Sequence, residues 1–313
     1  MLPSLAAAAL SRAIKASHEI TPAVRHPWRH CRAGVRMMIN GHTGLIAHIG
    51  YPTHAFKAPM IYNPWFEKSG INAVVVPMAC EAKDYPDFLR SIFRLGNIRG
   101  ALITMPHKVS TIALVDEVLS TAAIAGACNA VRLGPDGQLQ GDMFDGEGFV
   151  RGVVRKGLAL ESASALVVGC GGVGSAIAAS LAAHVASLSL FDVDEASAQA
   201  LAGRLRIHYP ALPVSTGSRD PTGRDLVVNA TPLGMNEGDA MPMDISRIAS
   251  STFVGEVVMK KEMTAFLRAA RARGCEVQVG SDMLFEQIPA YLEFFGLGTA
   301  TPEALRSVAR LSY

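Results

Sequence analysis

The sequence predicts an α/β protein of two domains with a cleft between them, the second of which is built on a doubly wound parallel sheet. Strand and helix patterns alternate along nearly the whole chain, and such alternation is typical of parallel sheets with right-handed crossovers. The alternation falls into two series that separate near residue 145. At 313 residues the chain is long for one domain and sufficient for two.

Composition narrows the function class. Half of the residues are hydrophobic and 18% are charged, so a large core is expected. No apolar run reaches the roughly 20 residues that span a bilayer, and a net charge of +2 does not favour nucleic acid as a partner. The five cysteines are scattered without a C-x-x-C pair, which favours a reducing compartment over a disulfide frame or a structural metal site. We expect a cytoplasmic protein, monomeric or homodimeric, that binds a small molecule.

The N-terminal segment differs from the rest of the chain. Residues 1–36 carry six basic residues and one acid, a charge of +5 that leaves about −3 on the remainder. The Ala/Ser/Arg-rich composition is typical of a transit peptide. We favour instead a non-native extension that precedes a start at Met37 or Met38, immediately before the first predicted strand. In either case we expect residues 1–37 to be poorly ordered and to take no part in the chemistry.

The first series of elements occupies residues 38–144. Apolar and β-branched runs predict strands at 43–49, 72–78 and 100–105, and amphipathic stretches predict helices at 59–68 and 85–95. A helical pattern at 109–125 is interrupted near 117–121. Strand patterns at 129–133 and 138–144 flank Gly134-Pro-Asp-Gly137, a turn sequence that predicts a hairpin.

The second series occupies residues 145–281. Its predicted helices lie at 145–155, 176–184, 195–207 and 262–273, and its predicted strands at 164–168, 187–191, near 214, and at 225–229, 253–258 and 275–279. Ligands of such sheets bind at the carboxyl ends of the strands.

A glycine-rich turn follows the strand predicted at 164–168. It reads Gly169-Cys-Gly171-Gly172-Val-Gly174 and leads into a helix pattern, which is the context of a Rossmann dinucleotide site. Gly169 permits the tight turn, Gly171 and Gly172 let the backbone approach a pyrophosphate, and Gly174 lets the helix lie close to the strand. The helix N-terminus supplies N–H groups to the phosphates. Taken alone, the glycines would also fit a plain β–α turn.

Asp192 indicates which dinucleotide binds. It ends the strand predicted at 187–191, about 20 residues beyond the glycines, where an acid binds the ribose hydroxyls of NAD and repels a 2′-phosphate. The residues that follow are Val193, Asp194 and Glu195, none of them basic. Asp194 is the better candidate for the cap of the next helix. The sequence therefore predicts NAD, with NADP as the alternative.

Two polar groups outside the glycine-rich turn suit proton transfer. Lys108 follows the strand predicted at 100–105, beyond a break at Pro106, and Asp145 opens a predicted helix. A lysine beside an aspartate in the cleft would relay the proton of an alcohol whose hydride passes to a nicotinamide. On spacing alone, a solvated loop lysine and a helix-capping aspartate fit equally well.

Several motifs resemble those of the shikimate/quinate dehydrogenases over roughly residues 43–295. The similar segments are Gly50-Tyr-Pro52 with Lys57-Ala-Pro59 and Asn63, Thr104-Met-Pro106-His-Lys108, Gly126-Ala-Cys-Asn129, Asp145-Gly-Glu-Gly148-Phe, Asn229-Ala-Thr-Pro-Leu-Gly-Met235 and Gly280-Ser-Asp-Met283-Leu-Phe-Glu-Gln287. The resemblance implies a substrate-binding and catalytic domain at 38–144, joined by C-terminal helices at 282–313, and an NAD-binding Rossmann domain at 145–281.

The resemblance also implies site residues. Lys108 and Asp145 would be catalytic. The substrate would contact Phe56, Ala58, Thr104, Asn129 and Gln287. The cofactor would contact Val173, Thr231, Pro232, Val257, Gly280 and Met283 in addition to Gly169, Gly171, Gly172 and Asp192.

Six apolar replacements distinguish this chain from the family pattern. Two hydroxyl-bearing residues usually face the substrate carboxylate, and here these positions are Phe56 and Ala58. The other departures are Leu102 for an asparagine, Met143-Phe144 for an Asn-Thr pair and Met259 for a tyrosine. Losing two hydrogen bonds to a carboxylate weakens binding by about 10²–10⁴-fold. Lys57 or His54 is an alternative partner for a carboxylate.

These observations lead to one hypothesis and two alternatives. The hypothesis is an NAD-dependent oxidoreductase that acts on a secondary alcohol of a cyclic polyol or hydroxy acid. Its substrate would be more apolar than shikimate at the carboxylate end. The first alternative is an ordinary shikimate or quinate dehydrogenase. The second is a non-catalytic NAD-binding regulator, against which the presence of both Lys108 and Asp145 argues.

Overall fold

Two six-stranded sheets carry the fold in the computed structural model, which describes residues 39–54 and 56–311. The predicted N-terminal extension therefore lies outside the described residues. Both sheets are flanked by helices, as the α/β prediction requires. None of the described helices is long and apolar enough to cross a membrane.

The first sheet is mixed. Its strands are β1 (Gly44–Gly50), β2 (Ala73–Ala79), β3 (Ile98–Ile103), β4 (Glu117–Val118), β5 (Ala130–Leu133) and β6 (Leu139–Asp142), in the order β2-β1-β3-β5-β6-β4. β1 pairs in parallel with both β2 and β3, while β5 pairs antiparallel with β3 and β6. β1 is buried at every position except Leu45 because side chains pack on both of its faces.

The helices of this region are α1 (Pro59–Ser69), α2 (Tyr85–Ile92) and α3 (Ser120–Ala125), with a 3₁₀ turn at Ser110–Ala113. The prediction at 109–125 was wrong in one respect, since the interruption contains a strand. Glu117 and Val118 pair with Gln140 and Gly141 of β6, so strand pairing overrides the local helix preference.

The second sheet is parallel throughout. Its strands are β7 (Ser164–Val168), β8 (Ser187–Phe191), β9 (Val214–Thr216), β10 (Leu226–Asn229), β11 (Phe253–Glu256) and β12 (Val277–Gln278). The order β9-β8-β7-β10-β11-β12 is the Rossmann order, in which the direction reverses beside β7. This switch point is where the glycine turn emerges.

Six helices accompany this sheet and the C-terminus: α4 (Asp145–Arg155), α5 (Gly172–Ala182), α6 (Glu195–His208), α7 (Ala265–Ala272), α8 (Gly280–Phe294) and α9 (Pro302–Val308). α5 begins four residues before the predicted start, directly within the glycine turn. α7 begins later than predicted because Thr264 caps it, its hydroxyl accepting from the N–H of Leu267.

Helices α4 and α8 connect the two sheets. Phe149 and Val153 of α4 pack in the core of the second sheet, whereas Ile288 and Leu292 of α8 pack with Ile46 in the core of the first. The two helices also contact each other along their lengths. This pair of helices therefore joins the core of the first sheet to the core of the second.

Candidate active site

A long cavity of about 690 Å³ lies at the carboxyl ends of the second sheet's strands. It is lined by most of the residues predicted to bind the cofactor, namely Gly169, Gly171, Gly172, Val173, Asp192, Thr231, Pro232 and Val257. This position at the switch point of a parallel sheet is where dinucleotides bind in the fold.

The glycine turn has the geometry that a dinucleotide requires. Gly169 has φ +102°, a conformation that residues with a Cβ rarely adopt. An added Cβ at Gly174 would overlap the carbonyl oxygen of Gly169, so the close contact between α5 and the turn depends on glycine. Gly171 and Gly172 have open space before them at the start of α5. The turn therefore exposes main-chain N–H groups and a helix N-terminus to the cavity.

Asp192 lies at the cavity wall, with its carboxylate held by two main-chain groups. Oδ2 accepts from the N–H of Cys170 at 2.7 Å and Oδ1 accepts from the N–H of Asp194 at 2.9 Å. Asp194 caps α6 by accepting from the N–H of Ala196. A carboxylate has further acceptor positions, so Asp192 can still bind ribose hydroxyls.

A polar network shapes the opposite wall, where Thr231 and Pro232 lie. Oδ1 of Asn229 accepts from both the N–H and the hydroxyl of Thr231, at 3.1 and 2.6 Å, and Nδ2 donates to the carbonyl of Leu233. Glu256 ends the neighbouring strand, is fully buried, and accepts from the hydroxyl of Thr264 at 2.8 Å. Burial raises the pKa of Glu256 to about 7.

A second cavity, of about 290 Å³, lies between the first sheet and α8. All seven residues predicted for catalysis and substrate binding line it: Phe56, Ala58, Thr104, Lys108, Asn129, Asp145 and Gln287. Met259 lines both cavities. The two cavities therefore adjoin at this side chain.

Lys108 and Asp145 form an ion pair in the second cavity. Nζ of Lys108 donates to Oδ2 of Asp145 at 2.7 Å, with 27% of the lysine side chain and 8% of the aspartate side chain exposed. Asn129 donates from Nδ2 to Oδ1 of the same carboxylate at 2.8 Å. Both carboxylate oxygens are thus oriented, and the lysine remains accessible from the cavity.

The loop after β3 is fixed by His107, the neighbour of Lys108. Its ring is buried, stacks on Tyr85 with centroids 3.9 Å apart, and places Nε2 2.8 Å from the carbonyl oxygen of Cys80. The carbonyl of Lys108 accepts from the N–H of Cys128 at 2.8 Å. The lysine is therefore held to the segment that carries Asn129.

The Asp-Gly-Glu-Gly sequence places Asp145 at the junction of three helices. A Cβ at Gly146 would overlap the carbonyl group of Ala176 in α5, and one at Gly148 would crowd the Cβ of Gln287 in α8. These close approaches bring Asp145 and Gln287 to the same cavity.

Two predicted cofactor residues, Gly280 and Met283, are placed differently. Neither lines either cavity. Gly280 lies behind the wall, against the main chain of Val257 and Val258, and Met283 is 4% exposed within the core around Phe149. Met283 lies one turn into α8 and packs in the core that contains Phe149 and Val153 of α4, and its contact with the cofactor stays a prediction.

The sequence reasoning also missed residues that the structure brings to the site. Arg219 and Lys260 line the cofactor cavity from the loops after β9 and β11. Listing the cations that follow each parallel strand would have found them. His48, Tyr62 and Tyr291 line the second cavity. His48 could have been identified from the sequence because it is a polar residue in the middle of an apolar strand.

The Rossmann sheet, its cavity and the adjoining Lys–Asp pair define the class as dinucleotide-dependent oxidoreductases. A family model for the shikimate dehydrogenase substrate binding domain matches residues 48–131. The chain is 33% identical to the shikimate dehydrogenase (NADP(+)) of Acidiphilium cryptum over 87% of this chain and 98% of that protein. It is 35% identical to the enzyme of the same name from Rubrobacter xylanophilus, over 80% and 89%.

Among solved structures, quinate dehydrogenase from Corynebacterium glutamicum in complex with NAD is 30% identical, with a TM-score of 0.75 over 86% of this chain and 99% of that one. The chain belongs to the shikimate dehydrogenase family. It is an oxidoreductase that acts on a CH–OH group.

Proposed function

We propose that this protein catalyses reversible hydride transfer between NAD and a secondary alcohol of a cyclic polyol or hydroxy acid. The observation that carries the proposal is the Lys108–Asp145 pair in a cavity that adjoins the dinucleotide cavity at Met259. A substrate in the smaller cavity would contact Lys108 and Asp145, here called the dyad, and would face the cofactor.

The dinucleotide, when bound, accepts or supplies the hydride. The chain's own residues handle the proton. During oxidation Lys108, in its amine form, accepts the proton that leaves the substrate hydroxyl, and Asp145 stabilises the ammonium that forms. In the reduction direction the dyad returns that proton to the oxygen. Asn129 fixes the orientation of the carboxylate through Oδ1.

For the cofactor, we propose NAD on the strength of Asp192. Its carboxylate, with Asp194 and Glu195 nearby in the sequence, would repel a 2′-phosphate. The curated relatives are named for NADP+, whereas the quinate dehydrogenase structure contains NAD. Arg219, which lines the cavity and lies over the ring of Phe191 at 5.6 Å, is the group that favours NADP as the alternative.

For the substrate, the alternative is shikimate or quinate, the compounds for which the relatives are named. Lys57 lines the cavity and is the observation in its favour. Phe56 and Ala58 argue against it because neither side chain can donate a hydrogen bond to a carboxylate.

The experiment is a steady-state panel that pairs NAD and NADP with shikimate, quinate and neutral cyclic polyols. Turnover of at least one alcohol is expected, with NAD preferred. Lys108→Met and Asp145→Asn should each lower kcat by at least 10²-fold while the Kd for NAD, measured calorimetrically, stays within about twofold. Retained turnover in Lys108→Met would refute the dyad.

A further inference from the structure

His48 is a polar side chain where the fold predicts an apolar one. It lies on β1 on the same face as Ile46, two residues away, whose side chain packs in the core of the first sheet. The imidazole is 8% exposed and lines the substrate cavity. Its Nδ1 is sealed from solvent and has no hydrogen-bond partner among the residues that the structure describes. Nδ1 is thus closed to a molecule in the cavity, and the exposed part of the ring is what such a molecule would contact.

Phe56 fixes the position of this ring. The two ring centroids are 4.0 Å apart with an interplanar angle of 31°, and Ala58 and Leu102 line the cavity beside them. The surroundings are apolar, and the pKa of His48 is lowered to about 4 by burial and by the positive charge of Lys108. The ring is therefore neutral at physiological pH and offers one donor and one acceptor rather than a charge.

Three other polar groups of this cavity are also neutral, apart from the charged Lys57, Lys108 and Asp145. Tyr62 and Tyr291 line it, and burial raises the pKa of both hydroxyls well above the ordinary value. Gln287 contributes an amide whose Oε1 is buried and has no partner within the described part of the chain. Neutral donors and acceptors match hydroxyl and carbonyl oxygens, whereas a buried carboxylate requires a cation or several N–H donors.

We propose that His48 determines substrate specificity by binding an uncharged oxygen at the Phe56 end of the cavity, so that the enzyme prefers a neutral polyhydroxylated ring to one that bears a carboxylate. The inference rests on the proposed function, because it assumes that the same molecule meets Lys108 and Asp145. Lys57 is the competing group, since it lines the same cavity and would hold a carboxylate.

The test compares three probes that share one ring: shikimate, its methyl ester, and the analogue in which a hydroxymethyl group replaces the carboxylate. The wild-type kcat/KM should be at least tenfold higher for the two neutral probes than for shikimate. His48→Val should lower kcat/KM for the hydroxymethyl analogue about tenfold, mainly through KM, and should lower kcat/KM for shikimate by a smaller factor. His48→Gln, which keeps a neutral polar group, should recover part of that loss.

Preference for shikimate in the wild type, abolished by Lys57→Gln and unaffected by His48→Val, would overturn the proposal. An equal loss for all probes in His48→Val, in a protein whose thermal unfolding is unchanged, would also overturn it by showing a purely structural role.

A binding readout separates this proposal from the dyad. In Lys108→Met with NAD bound, the ¹⁵N resonances of the His48 ring should shift on addition of the hydroxymethyl analogue and not on addition of shikimate. No shift with the analogue, or a shift with shikimate alone, would overturn the proposal for His48. Turnover retained by Lys108→Met would instead refute the dyad, and the ring resonances would still report what His48 binds.

Discussion

The amide of Asn129 donates from Nδ2 to Oδ1 of Asp145 at 2.8 Å, while Oδ1 of the same amide accepts from the N–H of Phe144 at 2.9 Å. Asn129 precedes β5 and Asp145 opens α4, so this pair ties the hairpin to the helix that carries the carboxylate. The amide oxygen is occupied within the protein. Asn129 therefore positions Asp145 in addition to lining the substrate cavity.

Asn129→Ala should lower kcat by about 10–10²-fold, because a hydrogen bond to a charged carboxylate contributes about 1.5–3 kcal/mol. The effect should fall on kcat more than on KM, since the orientation of the dyad is lost. Steady-state kinetics with the best alcohol substrate measures this division. A change confined to KM would show that Asn129 contacts the substrate without positioning Asp145.

Cofactor preference should depend on the charge of Asp192. Asp192→Asn keeps one acceptor oxygen for the main-chain N–H groups of the turn and removes the negative charge. We expect the ratio of kcat/KM for NAD to that for NADP to fall at least tenfold, because repulsion of a 2′-phosphate is removed.

Arg219→Gln is the matched variant across the same cavity. It should weaken binding of NADP more than binding of NAD, since it removes the cation that would face the added phosphate. Equal losses for both cofactors would indicate that Arg219 contacts the part that they share.

Phe56 and Ala58 stand where the family usually has two hydroxyl-bearing residues facing the substrate carboxylate. These two positions allow a gain-of-function test. Phe56→Ser with Ala58→Ser introduces two hydroxyl donors in the cavity wall. We expect kcat/KM for shikimate to rise about 10²-fold, on the basis of two hydrogen bonds to a carboxylate. Activity on a neutral polyol should not rise, and each single variant serves as a control. An unchanged value for shikimate would show that its carboxylate lies elsewhere.

The two halves of the site were predicted from different kinds of sequence feature. The glycine turn and Asp192 are local features, since the spacing along the chain sets their geometry. The cations Arg219 and Lys260 reach the same cavity only because parallel strands end at one edge of the sheet, a relationship that spacing does not record.

The substrate half depends on contacts distant in sequence. Lys108 and Asp145 are 37 residues apart, and the pair was predicted from family resemblance rather than from spacing. The strand at Glu117–Val118 was missed because it forms only by pairing with β6. Met283 was assigned to the cofactor, but the packing of α8 on α4 buries it.

Two glycine variants should change stability in opposite directions. Gly146→Ala places a Cβ where it would overlap the main chain of Ala176, so it should lower the free energy of unfolding by about 1–3 kcal/mol. Gly203 lies within α6 with open space before it, so Gly203→Ala should raise that free energy by up to about 1 kcal/mol. Urea denaturation of both variants measures the two changes. If both variants changed the free energy of unfolding by the same amount, α4 and α5 could move apart at Gly146 without a loss of stability.

The buried carboxyl of Glu256 should make stability fall as pH rises. Oε2 accepts from the hydroxyl of Thr264, Oε1 has no hydrogen-bond partner within the described residues, and burial raises the pKa of the carboxyl from 4.5 to about 7. Below pH 4.5 the group is protonated in both the folded and the unfolded chain. Between pH 4.5 and 7 the unfolded chain loses this proton while the folded chain keeps it, so the free energy of unfolding decreases across that window and remains lower above it.

Glu256→Gln cannot ionise and should remove this component. We expect the free energy of unfolding of the variant to exceed that of the wild type by about 2–3 kcal/mol at pH 8. The difference should vanish near pH 4.5. Urea denaturation at matched pH values gives the difference, in which the titrations of all other groups cancel. Glu276→Gln, at an exposed position in the same domain, is the control for replacing a glutamate outside the core. A Glu256→Gln variant that is less stable than the wild type at pH 8 would mean that the ionised carboxylate stabilises the wall of the cofactor cavity.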